Sequence, residues 1–185
     1  MTYIADPVSR NQLRHIASWI RETTGFKDTL WFPVIEFLEK VMPMLFSGFH
    51  YDIVSNAELG PNKHGETDIV NKCIRIREDV YNGALEGNGR DRMTVAHEIA
   101  HYILLVVYGV KFARIFNDVS VITYRDPEWQ AKALAGELLC PAHVIFSMTP
   151  DEIANECGVS YPAAQYQKKQ AGGGAFGKRN RKSIS

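Results

Sequence analysis

His97-Glu98-Ile99-Ala100-His101 constrains this chain more than any other stretch. It lies in an apolar run with helical spacing, Met93-Thr-Val-Ala on one side and Tyr102-Ile-Leu-Leu-Val-Val on the other. On a helix, residues i and i+4 share a face, so the two imidazoles aim at one point. Two nitrogen donors so placed are the first half of a tetrahedral zinc site. Glu98 is one residue further round the helix, placed to reach a water at the metal without ligating it. That is the position of a general base in metal-assisted hydrolysis. A mostly apolar helix carrying these three polar groups must satisfy them. A metal does so better than the competing reading, two core histidines bonded to backbone carbonyls. The helix is expected to start with Asn88 as N-cap and Asp91 in its first turn, and to end at Gly109.

A catalytic zinc takes three protein ligands and leaves a fourth position for water. Downstream candidates for the third are Asp118, Asp126, Glu128, Glu137, Cys140, His143 and Cys157. The segment from Asp126 to Pro141 reads as one helix, with Asp126 as cap, Pro127 at the first helical position and Pro141 closing it. Glu128 falls on the stripe of Ala131, Ala135 and Leu138 or Leu139, whose small residues allow close packing on the His97–His101 helix. A carboxylate on a buried stripe needs a strong partner, and a metal is one. Glu137 falls on the opposite side, expected to be wet. Glu128 is therefore the expected third ligand, ahead of Cys140 and Cys157.

Three blocks, RDRMTVAHEIAHYIL, DPEWQAKALAGELLCPAHVI and IANECGVSYPAA, occur in order over about Asp91 to Ala164. Together they resemble the ImmA/IrrE-type metallopeptidases. The resemblance implies a zincin-like domain, a catalytic Zn²⁺, His97 and His101 as ligands, Glu98 as catalytic base, and Glu128, which opens the second block, as third ligand. Cys140 stands where methionine is common in the family, Leu134 replaces a frequent phenylalanine, and no histidine follows Tyr102-Ile103-Leu104. None of these departures touches a ligand. Members of the family characteristically relieve repression by cleaving, or helping to destroy, a helix-turn-helix repressor encoded nearby, and some are the toxin-like half of a two-gene module. The resemblance thus implies a zinc endopeptidase acting as an antirepressor on a protein substrate. The alternative is a non-proteolytic regulatory partner that binds a repressor or DNA and keeps a structural zinc site.

The remaining sequence bounds this reading. At 185 residues, with 45% hydrophobic residues, the chain fits one domain over residues 1–170 and a tail over 171–185. No apolar run is long enough to span a membrane, and Met1-Thr-Tyr-Ile-Ala-Asp-Pro lacks the order of a signal peptide. Cys73, Cys140 and Cys157 are few, odd in number and unpaired by spacing, as expected of reduced thiols in a cytoplasmic protein. Net charge is zero, but after Glu156 there is no acid and there are six bases, so the body carries −6 and the end of the chain +6. The tail QAGGGAFGKRNRKSIS has little to bury and is expected to be disordered. Direct nucleic-acid contact through it is the lesser expectation.

Hydrophobic spacing predicts a first helix over about 9–24, on Leu13, Ile16, Ala17 and Ile20, and a second over about 33–45, ending near Pro43. Residues 50–55, 66–71 and 72–79 read as strands of a small, about three-stranded antiparallel sheet, giving an α+β fold. Residues 110–125 read as a long connection. Tyr102, Tyr108, Tyr124 and Arg125 are candidate oxyanion donors, and Asn117, Asp118 and Asp126 candidate partners of the imidazoles. His15, His50, His64 and His143 read as structural. The segment from Pro150 to Lys169 has the cadence of a helix-turn-helix, with Tyr161, Gln165, Tyr166, Gln167 and Lys168 on the second helix. An acidic body argues against DNA binding there.

Overall fold

The computed structural model describes residues 2–106, 112–115 and 123–172. Strand β1 (Thr2–Ala5) is followed by helix α1 (Arg10–Thr23), which starts where a capping box can form. The Ser9 side chain accepts from the Gln12 N–H, while the Gln12 side chain answers the Ser9 backbone. Leu13, Ile16, Ala17 and Ile20 turn inward, as their spacing predicts. The second helix is not a uniform rod. It comprises α2 (Val34–Glu36), a π-helical stretch Phe37–Val41 and α3 (Met42–Leu45). The Met42 N–H reaches back to the Phe37 carbonyl, one residue further than in an α-helix. That widened turn precedes Pro43, whose missing N–H and bulky ring disturb a regular helix. The helix therefore passes through Pro43 rather than ending there.

Strand β2 (His50–Val54), helix α4 (Asn56–Leu59), strands β3 (Gly65–Asp68) and β4 (Cys73–Arg77) and helix α5 (Glu78–Leu85) follow. The three strands form one sheet in the order β2-β4-β3. It is mixed, which corrects the antiparallel expectation: β4 pairs antiparallel with β3 but parallel with β2. A tight turn after Asp68 folds β4 back on β3, and β4 then lies between the two earlier strands. The parallel pair is possible because residues 55–72 supply a crossover of adequate length. The strand read over 72–79 stops at Arg77, since Glu78 and Asp79 open α5 in the positive first turn of a helix.

Helix α6 (Gly89–Val106) carries the HExxH motif. The Asn88 side chain accepts from the backbone N–H groups of Arg90 and Asp91, as an N-cap should; the expected end at Gly109 lies outside the described residues. Strand β5 (Phe112–Ile115) pairs antiparallel with β1, a ribbon that hydrophobic spacing did not predict. A 3-10 turn (Thr123–Arg125) leads into α7 (Pro127–Leu139), capped by Asp126, whose carboxylate accepts from the Glu128 N–H at 2.9 Å. Helices α8 (Ala142–Ile145), α9 (Pro150–Cys157) and α10 (Tyr161–Gly172) complete the described chain.

The core lies between α6, α7, α1 and the inner face of the sheet, with Ile74, Ile76, Ile99, Ala131, Leu134 and Leu138 at or near zero exposure. Among the described residues, Glu137, Arg21 and Arg92 are buried against it, each with polar partners. Glu137 receives Arg14 on both carboxylate oxygens and sits 3.4 Å from Arg10 Nε, which corrects the expectation that it faces water. Arg21 donates to the carbonyls of Leu138 and Thr29. Arg92 donates from Nε to Gly158 O at 2.9 Å, and from Nη2 to the carbonyls of Phe32 and Cys157. Its guanidinium lies 3.7 Å from the Trp31 ring. A cation on the last carbonyls of α9 complements the negative end of that helix. Among the described residues, no helix is long and apolar enough to cross a membrane.

Candidate metal centre

Packing of α7 on α6 brings His97, His101 and Glu128 into one triangle. His97 Nε2 lies 3.1 Å from His101 Nε2, Glu128 Oε2 lies 3.2 Å from His97 Nε2, and Glu128 Oε1 lies 3.3 Å from His101 Nε2. Tetrahedral ligands about 2.1 Å from a zinc ion stand about 3.4 Å apart, so the three donors fit one such ion. The two imidazoles meet edge to face, 82° between planes, so that both Nε2 atoms converge. Hydrogen bonds to His101 and His97 hold the Glu128 carboxyl far below the usual carboxylate range, which keeps it an acceptor or ligand. Its position in the first turn of α7 favours the charged form as well.

Glu128 does not sit on a buried stripe. Its side chain is 58% exposed, because it stands at the open end of α7, above the buried Ala131 and Ala135. The expected helix face is correct and the expected burial is not. His97 Nδ1 is buried without a hydrogen-bond partner among the described residues. Asn117 and Asp118, candidate partners for it, lie outside the described residues. Asp126, the third, is committed to the α7 cap.

Glu98 is buried and belongs to a different set of contacts. Thr67, on β3, donates its hydroxyl to Glu98 Oε2 at 2.7 Å and also lies 3.1 Å from the Glu98 carbonyl. β3 comes this close because residue 65 has no side chain. A Cβ on Gly65 would stand 2.8 Å from Glu98 Cγ. Neither Thr67 nor Gly65 carries a signal in the sequence, since both act across a contact between strand and helix that spacing alone does not reveal.

The triangle and Glu98 open into a cleft of about 660 Å³. β3, the sheet edge, forms one wall with Gly65 and Thr67, and α6 contributes the floor. Lys63, Arg90 and Lys132 stand around the rim. Of the candidate oxyanion donors, Tyr102 points into the core, packed edge-on against Phe46 and Phe49, and is excluded from the cleft. Tyr124 and Arg125 do not border it either, and Tyr108 lies outside the described residues. Cys140 and Cys157 are buried and take no part in the donor triangle. The neighbouring Cys157 thiol and burial push the Cys140 thiol well up. His143 pairs with Asp28 at 3.3 Å, and His64 lines the cleft 3.5 Å from Arg90.

α9, the left-handed Gly158 and α10 reproduce the helix-turn-helix cadence. However, Gln167 is buried, accepting from Arg10 and donating to Cys140 O, while Lys168 donates to Phe146 O. Two of the five side chains that a DNA-reading second helix would present are thus engaged within the protein. No family model matches this chain, and no curated protein matches it either.

Proposed function

We propose that this protein is a zinc-dependent endopeptidase of the ImmA/IrrE type that cleaves a helix-turn-helix repressor. The observation that carries the hydrolytic part is Thr67 oriented on Glu98 beside the triangle of His97, His101 and Glu128. Zn²⁺ held by those three residues would polarise the scissile carbonyl and lower the pKa of the attacking water. Glu98 accepts the water proton on the oxygen that Thr67 leaves free and passes it to the departing amine. A purely structural zinc site has no use for a base so placed. Among the described residues β3 is an edge strand beside the cleft, where an extended substrate segment adds as a further strand. Folded helices cannot supply such a strand, so the cut falls in an extended linker. Separating a repressor's DNA-binding part from its dimerising part forfeits the avidity of two half-sites.

The repressor as substrate rests on the sequence resemblance, and on the burial of Gln167 and the internal hydrogen bond of Lys168, which weaken the case for direct DNA binding. Coexpression with a repressor from the same gene neighbourhood, read by mass spectrometry of fragments, tests the substrate. Glu98→Gln keeps the side-chain shape and is expected to retain zinc while losing about 10²–10⁴-fold in cleavage. Derepression that persists in Glu98→Gln with the repressor intact overturns the proteolytic reading in favour of a binding one.

A further inference from the structure

His50, Asp52 and Cys73 form a second convergence of donors, on the face of the sheet opposite α6. His50 and Asp52 alternate with Tyr51 on β2, and Cys73 is the parallel register partner of His50 on β4. All three side chains therefore stand on one face. Thr67 and Ile74, in register with each other, occupy the other face, which carries the contact to Glu98. The imidazole, carboxylate and thiol donor atoms all lie within 4.8 Å of one another. Cys73 Sγ lies 3.5 Å from Asp52 Oδ2. A sulfur at 2.3 Å and an oxygen at 2.1 Å from a tetrahedral zinc stand about 3.6 Å apart, so this pair needs almost no movement. His50 is exposed, while Cys73 is buried on the central strand. Asp68, the neighbour of Cys73 on β3, is engaged by the Asn71 backbone and side chain and stays out of the set.

We infer that His50, Asp52 and Cys73 bind a second divalent transition-metal ion, zinc by the chemistry of the donors, separate from the site on α6. One thiolate, one imidazole and one carboxylate suit zinc and disfavour magnesium or calcium, which take oxygen ligands. The Cys73 thiol gives up its proton to solvent as the metal–sulfur bond forms. Three protein ligands leave the fourth position to water. Bound there, the ion ties the edge strand β2 to the central strand β4.

The two sites are distinguishable because the triangle on α6 contains no sulfur. The full chain carrying His97→Ala and His101→Ala, stripped of metal, is titrated with Co²⁺. The expected result is one equivalent bound with a thiolate-to-cobalt charge-transfer band in the near ultraviolet. The band should vanish in Cys73→Ser, and affinity should fall by more than about tenfold in His50→Ala or Asp52→Ala. Those two side chains are exposed, so their loss tests the site even if Cys73→Ser fails to fold. Absence of the band, its survival in Cys73→Ser, or unchanged affinity in both exposed-residue variants overturns the inference. None of these outcomes depends on whether the protein cleaves anything.

Discussion

Glu128 and Glu137 share helix α7 and have opposite surroundings. Glu128 stands half in water with two imidazoles 3.2 and 3.3 Å away, whereas Glu137 is buried under Arg10 and Arg14. Glu128→Ala should therefore lose zinc, measured by elemental analysis, while the metal-free fold stays almost as stable as before. Glu137→Ala should leave the zinc donors in place and lower unfolding free energy in urea by about 3 kcal/mol, because two partly buried guanidiniums lose their carboxylate partner. The helix period correctly puts the two carboxylates on opposite faces. That the Glu137 face is dry as well was not legible, because the arginines that cover Glu137 come from α1, far away in sequence. Thr67 is similarly hidden. Removing its hydroxyl in Thr67→Val should cut cleavage by about 10- to 100-fold, the worth of a hydrogen bond to a charged group, with zinc content unchanged. Thr67→Ser should recover most of the loss; if Thr67→Val cleaves normally, the contact does not position the base.

Among the elements, those with a local cause could be read from the sequence. The capping box at Ser9, the Asn88 cap and the Asp126-Pro127 start of α7 are satisfied within a few residues of themselves. Strand direction is not local. The parallel pairing of β2 with β4 and the ribbon of β1 with β5 depend on partners distant along the chain, and short strands give no clue to them. The π-helical turn before Pro43 is a middle case: the proline announces a disturbance but not whether the helix stops or widens. The junction between α9 and α10 offers a test at this scale. Gly158 takes φ 62°, and a Cβ there would collide with the Trp31 ring that also covers Arg92. Gly158→Ala should destabilise the fold by about 1–3 kcal/mol, read as a lower urea midpoint at unchanged slope.

Across the whole molecule, charge is segregated. The body up to Glu156 carries an excess of acid, yet Lys63, Arg90 and Lys132 line the cleft. Lys63 is engaged by Glu66 at 2.5 Å, which leaves Arg90 and Lys132 as the main source of positive potential there. A substrate segment with acidic side chains near its cut should therefore be preferred. Lys132→Glu should raise KM for such a peptide by about tenfold, the effect shrinking in high salt, with little change in kcat; equal turnover of acidic and basic peptides would discard this preference.

The order of the sheet has a further consequence for the timing of synthesis. β4 sits between β2 and β3 yet leaves the ribosome after both, so neither earlier strand has a partner until Arg77 has emerged. Thr67 must then wait for Glu98, and the two histidines for Glu128, before base and donor triangle exist together. Non-local pairing of this kind is slow to form. The proposed site is consequently incomplete through most of translation, and its last donor arrives only with the first turn of α7.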